Sequence, residues 1–458
     1  MKSIRFVFFS IFAAIIGLGN GVVLSQDTLS MPKRSEEPWR DAVARIQREY
    51  LLHPEAERFA RLDVLTTAKK SVPEVIYGHE GDPLDAVLVE WWCGAPQSGD
   101  EFDLMWMEII AAAARTGAIP YVYLYSYYGL DDDTALQACG AMLKEEHGID
   151  PDAVVWIQDY DTDAFWMRDF GPLAVREKST QVLSLEDPIY YVDRPYDDAM
   201  PVDFATRFEI PITDFNLNFE GGNLLANGRG LCITSAVTLY ANPQYSEDEI
   251  RQIFDLELGC HELVIVDPLE DYATGHVDMW LAFANPTTLI VGEYEERQDA
   301  INRAIIEANL TTKLTGLTDP ESGAPIEIVR MPMPSNCPPP TATHPVFGPY
   351  LPQASDRAWV RGEQGVFNAY NATFYSAAPQ SCPAVPGWYR VWRTYLNVGL
   401  INNTVLLPVY RQSQRYQQEA TRIWESLGYE VVPVKSDWII YLAGSIHCIM
   451  QTIGSPTL

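Results

Sequence analysis

The chain reads as an α/β fold, and three observations carry that reading. Short apolar runs alternate with stretches of helical period along most of the 458 residues. The strand–helix unit recurs about five times without any close sequence repeat, which hints at structural modules. The composition, 47% hydrophobic and 21% charged, describes a packed globular protein rather than a disordered or coiled-coil one. At roughly 150 residues per domain the length suits about three domains or one large closed architecture.

The elements follow in order. The apolar run Asp85 to Trp92 predicts a strand, and Glu101 to Arg115 has the period of a helix. Ile119 to Tyr127, rich in tyrosine and branched residues, is a strand, Thr134 to His147 a helix, and Ala153 to Gln158 extended. Further strands are expected near Gln181 to Val192, Leu231 to Leu239 and Glu262 to Val266, with a helix near Glu247 to Leu256. Leu289 to Glu293 reads as a strand and Glu296 to Ala308 as a helix. Thr404 to Pro408 and Glu430 to Pro433 are strands flanking a helix from Gln412 to Leu427. Residues 331 to 390 differ: prolines crowd them, from Pro332 to Pro352, as in a functional loop or lid.

The N-terminus stands apart. Lys2 and Arg5 precede an apolar run from Phe6 to Leu18, and small residues lead to Ser25. This pattern predicts a secretory signal peptide over residues 1–25, and the run is short for a membrane anchor. Residues 26–83 read as an N-terminal helical extension, with helices near Trp39 to Tyr50 and Pro54 to Arg61. The main domain is then 84–458. The expected location is secreted, extracellular or periplasmic, with no membrane span after cleavage.

A net charge of −30 repels phosphate backbones and anionic lipid surfaces and favours cationic substrates. Nucleic acid is therefore excluded as a partner. Export also makes the seven cysteines interpretable. Six can pair, and chain proximity suggests Cys93–Cys139, Cys232–Cys260 and Cys337–Cys382, although six cysteines allow 15 connectivities. Cys448, directly after His447, is left over, and a lone exported thiol invites a chemical role. Asn309, Asn371 and Asn402 begin Asn-x-Thr sequons, which matter only where the host glycosylates.

Four short segments could carry chemistry. Trp166-Met167-Arg168-Asp169-Phe170-Gly171-Pro172 alone fits a turn with a salt bridge. Phe219-Glu220-Gly221-Gly222-Asn223 is a turn that allows close backbone approach. In Gly275-His276-Val277-Asp278-Met279-Trp280 a two-residue step puts His276 and Asp278 on one side of a strand, suited to acid–base work. A satisfied buried pair would look the same. The fourth segment is Gly444 to Gln451, around His447-Cys448. His276, Asp278, His447 and Cys448 lack the usual zinc-ligand spacings, so no metal is expected. The Gly-x-Ser-x-Gly elbow and the phosphate-binding Gly-rich loop are absent too.

Together and in this order, the four segments resemble the agmatine deiminase and Porphyromonas-type (bacterial-type) peptidylarginine deiminase family of the guanidino-group-modifying, or pentein, superfamily. Matching positions run from about residue 84 to 456. The resemblance implies a five-module α/β-propeller with pseudo-fivefold symmetry and a central active site. It implies roles as well. Asp169 and Asp278 match the carboxylates that grip a guanidinium, His276 the acid–base histidine, Cys448 the nucleophile and Asn397 an active-site asparagine. The chemistry explains these types: a guanidinium is a poor electrophile, and paired charge-assisted hydrogen bonds must hold it. The thiolate attacks its carbon, His276 protonates the departing ammonia, and a thiouronium forms that water then hydrolyses. No cofactor is implied.

The segment Val192-Asp193-Arg194-Pro195-Tyr196 is similar to the one by which secreted peptidylarginine deiminases bind the substrate carboxylate. Arg194 matches their first arginine, whereas Tyr196 stands where they have a second; Trp166 is a further candidate substrate contact. Near Cys448, Met450 and Thr452 replace polar Thr and Gln. The expected activity is conversion of arginine in peptides or proteins to citrulline. Agmatine or another small guanidino compound is the alternative substrate. A guanidinium-binding pseudoenzyme is the non-enzyme alternative; it would have lost Asp169, His276, Asp278 or Cys448, and all four are present.

Overall fold

The computed structural model describes residues 74–93, 99–126, 132–191, 194–270, 274–295, 299–334, 392–410, 414–437 and 439–454. The expected signal peptide, the helices near 39–50 and 54–61, Asn371, Cys337, Cys382 and most of the proline-rich stretch lie outside the described residues.

Strands gather into five separate sheets, and each repeats one unit: an antiparallel pair whose second strand then pairs in parallel with a third. Leu173–Glu177, Leu183–Ile189 and Ile212–Asn218 form the first such unit. Leu225–Ala226, Leu231–Ser235 and Glu262–Val266 form the next. Leu281–Asn285, Thr288–Glu293 and Glu327–Pro332 follow, then Gly399–Ile401, Thr404–Val409 and Glu430–Lys435. The last unit joins segments far apart in the chain: Met450–Gly454 pairs antiparallel with Leu84–Cys93, which runs parallel to Ile119–Ser126. Parallel neighbours cannot be joined by a tight turn. Each parallel step therefore contains a helix, among them Gly99–Thr116, Glu247–Leu258, Ala300–Asn309 and Gln414–Ser426.

These helices form because apolar residues fall on one face and the ends are capped. In Glu247–Leu258, Ile250, Ile253, Phe254 and Leu258 are buried, Ser246 and Glu249 make a reciprocal capping box, and Gly259 closes the end at φ 68°. Large aromatic side chains fill the space between helices and sheets, with Trp91, Trp106, Trp280 and Trp424 fully buried. Two of the expected disulfides form. Cys93–Cys139 ties a strand to the helix Asp132–His147, and Cys232–Cys260 joins neighbouring strands' ends. Among the described residues Cys448 alone is free, and it is buried.

Some expectations need correction. The strand from Leu231 ends at Ser235, and Val237–Ala241 is a helical turn that brings the Thr238 hydroxyl to Asn223 and Thr234. The helix expected from Glu296 begins at Ala300, because the Asp299 carboxylate accepts from the Asn302 N–H and caps it. His276 and Asp278 lie on a single 3₁₀ turn, Val277–Met279, not on a strand. The helical extension stops short of residue 83: Val75–Tyr77 is a strand paired with Val175–Glu177, so the folded body starts before residue 84. The sequon side chains Asn309 and Asn402 are both occupied inside the fold, bonding Asp267 and Leu84 plus Thr116 respectively.

Candidate active site

Each unit contributes a short segment immediately ahead of its first strand. The one-turn helix Met167–Phe170 precedes Leu173–Glu177, Gly221–Asn223 precedes Leu225–Ala226, and Val277–Met279 precedes Leu281–Asn285. Residues 393–397 precede Gly399–Ile401, and His447–Ile449 precedes Met450–Gly454. The segments touch: Met167–Phe170 packs on both Gly221–Asn223 and His447–Ile449, and Gly221–Asn223 on Val277–Met279. Five positions far apart in sequence thus meet in one buried cluster.

Gly222 lies at its centre. A Cβ placed there would stand 2.6 Å from His276 Nδ1, 2.8 Å from Asp169 Oδ1 and 3.2 Å from Asp278 Oδ2. Only a residue without a side chain leaves that space open. Cys448 Sγ lies 3.2 Å from Asn397 Nδ2 and 3.7 Å from Asp278 Oδ2, and Asn397 Nδ2 also donates to Asp278 Oδ2 at 2.9 Å. His276 Nε2 sits 2.5 Å from Glu220 Oε2, with its Nδ1 3.6 Å from Asp169 Oδ1. The five core candidates, Asp169, His276, Asp278, Asn397 and Cys448, are therefore together.

Two carboxylate oxygens in this cluster, Asp169 Oδ1 and Asp278 Oδ1, are buried without a hydrogen-bond partner. Leaving a buried acceptor unmade costs about 1–3 kcal/mol, so such a pair signals a ligand's donors.

Burial, reinforced by Glu220 and Asp278, raises Asp169 to about 7 even though His276 opposes the shift. Burial alone would lower His276, but the carboxylates of Asp169 and Glu220 outweigh it and raise the imidazole to about 9. The Cys448 thiol is pushed well up by burial, then by Asp278 and Asp169. Without a cation beside it the thiol stays protonated.

The remaining candidates sit further out. Trp166 opens the Met167–Phe170 turn and packs on Gly444, whose Cα region adjoins Cys448. The Arg194 guanidinium donates to the Tyr190 hydroxyl at 3.2 Å, lies 3.9 Å from Asp197 and 5.8 Å from the Tyr191 ring centre. It is close enough to help hold Asp169 and Glu220 ionised. Tyr196 is 48% exposed and is tied down by its backbone to Asp163 and Tyr160. The structure shows no contact between the Tyr196 ring and the cluster.

A family model of Porphyromonas-type peptidyl-arginine deiminases matches residues 77–453. The chain belongs to this family. It is a deiminase, a hydrolase of amidine C–N bonds acting on a guanidino group. An agmatine deiminase of Medicago truncatula is 24% identical over 328 residues, spanning 66% of this chain and 78% of that protein. Among solved structures, agmatine deiminase of Enterococcus faecalis superposes with a TM-score of 0.60 at 17% identity, covering 84% of this deiminase and 98% of that chain. A C. jejuni agmatine deiminase variant with substrate bound gives 0.58 at 13% identity, covering 83% and 96%. At these identities the structures establish a shared fold.

The deiminase's cluster contains residues that sequence reasoning passed over. Glu220 was legible only as part of a glycine turn, yet it grips His276. His447 was legible as part of the His-Cys motif and as a metal-ligand candidate, with no role of its own; it bonds Asp278 and Glu80. Glu80 carried no sequence signal and falls before the expected domain boundary. Arg168 does form a salt bridge, but with Glu80 at 2.6 Å and not within its own turn.

Proposed function

We propose that this deiminase acts on arginine in peptides, with Asp169 and Asp278 gripping the guanidinium, Cys448 attacking its carbon and His276 moving protons. The two buried oxygens without a hydrogen bond, Asp169 Oδ1 and Asp278 Oδ1, carry this reading: open carboxylate acceptors suit a planar, multiply donating cation. The bound cation lowers the cost of a thiolate at Cys448, whose proton passes to solvent as the substrate enters. Attack gives a neutral tetrahedral adduct. His276, cationic below about 9, protonates one amino group, ammonia leaves, and a thiouronium remains on sulfur. Neutral His276 then takes a proton from water as the water adds to carbon. Collapse expels the thiolate and releases the ureido product; the adduct's hydroxyl proton passes to solvent, where the ammonia already released becomes ammonium. Glu220 holds the ring in place through both steps.

Arg194 supports peptide-terminal arginine, because its guanidinium stands close enough to Asp169 and Glu220 to favour their charged forms, and a cation beside the cluster suits a substrate carboxylate. The names of the curated relatives favour agmatine as the second reading. The five repeated units, each feeding one segment into the cluster, support a pseudo-fivefold propeller. The disulfides Cys93–Cys139 and Cys232–Cys260 suit an oxidising compartment and support export after removal of residues 1–25. The test is ureido-product release from peptides ending in arginine, amidated peptides, free arginine and agmatine. Peptides should be turned over fastest, and Cys448→Ala should abolish all turnover. Faster turnover of agmatine would replace the peptide reading, and an active Ala variant would refute Cys448 as the nucleophile.

A further inference from the structure

Asp278 is loaded on one oxygen and bare on the other. Its Oδ2 meets His447 Nδ1 at 2.7 Å and Asn397 Nδ2 at 2.9 Å, with Cys448 Sγ 3.7 Å away. Its Oδ1, though buried, has no partner. Behind it, His447 Nε2 lies 2.9 Å from both oxygens of Glu80, and Glu80 is paired with Arg168 at 2.6 Å. His447, Arg168 and Asp278 are all 3% exposed or less.

An imidazole flanked by carboxylates on both nitrogens satisfies both only when each nitrogen carries a proton. The chain from Asp278 through His447 and Glu80 to Arg168 then alternates minus, plus, minus, plus. Every charge has its counterion, as buried charges require. We propose that His447, held as an imidazolium between the Glu80 and Asp278 carboxylates, is a positioning residue that pins Asp278 Oδ2 and so turns Oδ1 toward the substrate guanidinium. The inference rests on the deiminase reading above.

The surroundings are consistent with it. A cavity of about 20 Å³, room for a water molecule, is lined by Tyr77, His79, Glu80, Asp278 and His447 among mostly apolar neighbours. The groups facing His447 are Glu80 from the segment after the first strand, Asp278 from the Val277–Met279 turn, and Arg168, whose Nε reaches the His447 carbonyl at 3.4 Å. Burial and Arg168 push His447 down, but Glu80 and Asp278 outweigh them and raise it. Glu80 is lowered to about 2, since Arg168 and His447 overcome its burial. Removing the donor toward Asp278 would leave its carboxylate bare beside that of Glu80, and such a pair shares a proton. A protonated carboxyl grips a guanidinium poorly.

The experiment compares two substitutions that each keep one half of the imidazole. In His447→Asn the amide nitrogen replaces Nδ1 and still donates toward Asp278; in His447→Gln it replaces Nε2 and faces Glu80. If His447 positions Asp278, the Asn variant keeps kcat/KM within about tenfold of wild type. The Gln variant loses about a hundredfold or more, chiefly through KM, as expected for a lost charged hydrogen bond. Equal activity in the two variants, at unchanged melting temperature, overturns the inference. Should both variants fail to fold, ring nitrogen-15 shifts of wild-type His447 at pH 7.5 decide: a doubly protonated ring is expected, and a neutral ring refutes it. A wild-type protein that releases no ureido product from any guanidine would instead sink the deiminase reading, and the ring shifts would still report on His447.

Discussion

His276 Nε2 lies 2.5 Å from Glu220 Oε2, a partly buried contact that holds the imidazole between two carboxylates and keeps it cationic. Glu220→Gln removes the nearer negative charge, so His276 should lose its proton at lower pH. The alkaline edge of activity moves down, and kcat at pH 8 should fall by about ten- to a hundredfold, the range for a charged hydrogen bond of about 1.5–3 kcal/mol. A pH–rate profile of the variant matching wild type would show that Glu220 does not control the proton on His276.

The same groups set a pH window. Asp169, raised to about 7 by burial, must ionise to hold a cation, so kcat/KM should climb as pH rises through about 7. His276, raised to about 9 by its carboxylates, must be protonated to release ammonia, so activity should fall above about 9. The sign follows from each group's working form: the acid limb is loss of an anion and the alkaline limb loss of a cation. A bell between those limits is expected for a permanently cationic substrate. A flat profile from pH 6 to 10 would contradict both assignments.

Gly222→Ala offers a test of geometry without altering any charge. The added methyl would sit 2.6 Å from His276 Nδ1 and 2.8 Å from Asp169 Oδ1, so one of them must move. A displacement near 1 Å at reacting groups costs about a hundredfold. We expect that loss in kcat/KM with the melting temperature little changed. An Ala variant as active as wild type would mean that the guanidinium does not occupy the space beside Gly222.

Arg194→Ala addresses substrate choice. If the guanidinium binds a substrate carboxylate, wild type should prefer peptides ending in arginine over their amides by about tenfold, near the low end for one charged pair. The low end applies because Tyr196, on the rim, adds no second cation. The substitution should erase the preference and lower agmatine turnover far less, through weaker support of the Asp169 and Glu220 charges alone. Equal wild-type rates on acid and amide peptides would remove Arg194 from substrate recognition.

The α/β alternation was legible in the linear chain for local reasons, whereas the five core candidates were named through the resemblance that the order of the short segments carries. A strand or helix declares itself through the period of its apolar residues, and Gly-Gly-Asn, His-x-Asp and His-Cys are short enough to be read in place. The odd cysteine count also pointed to Cys448, and two described disulfides follow chain proximity. Tertiary structure alone decided which charges meet. Glu80, Arg168, Glu220 and His447 are separated from their partners by 56 to 367 positions. No periodicity encodes such pairing, because it depends on how five segments are brought to one point. Whether a histidine is cationic, a carboxyl raised or a thiol protonated is likewise set by burial and neighbouring charge. The sequence supplied the reactive side chains, and the converging turns ahead of each strand determined their protonation and aim.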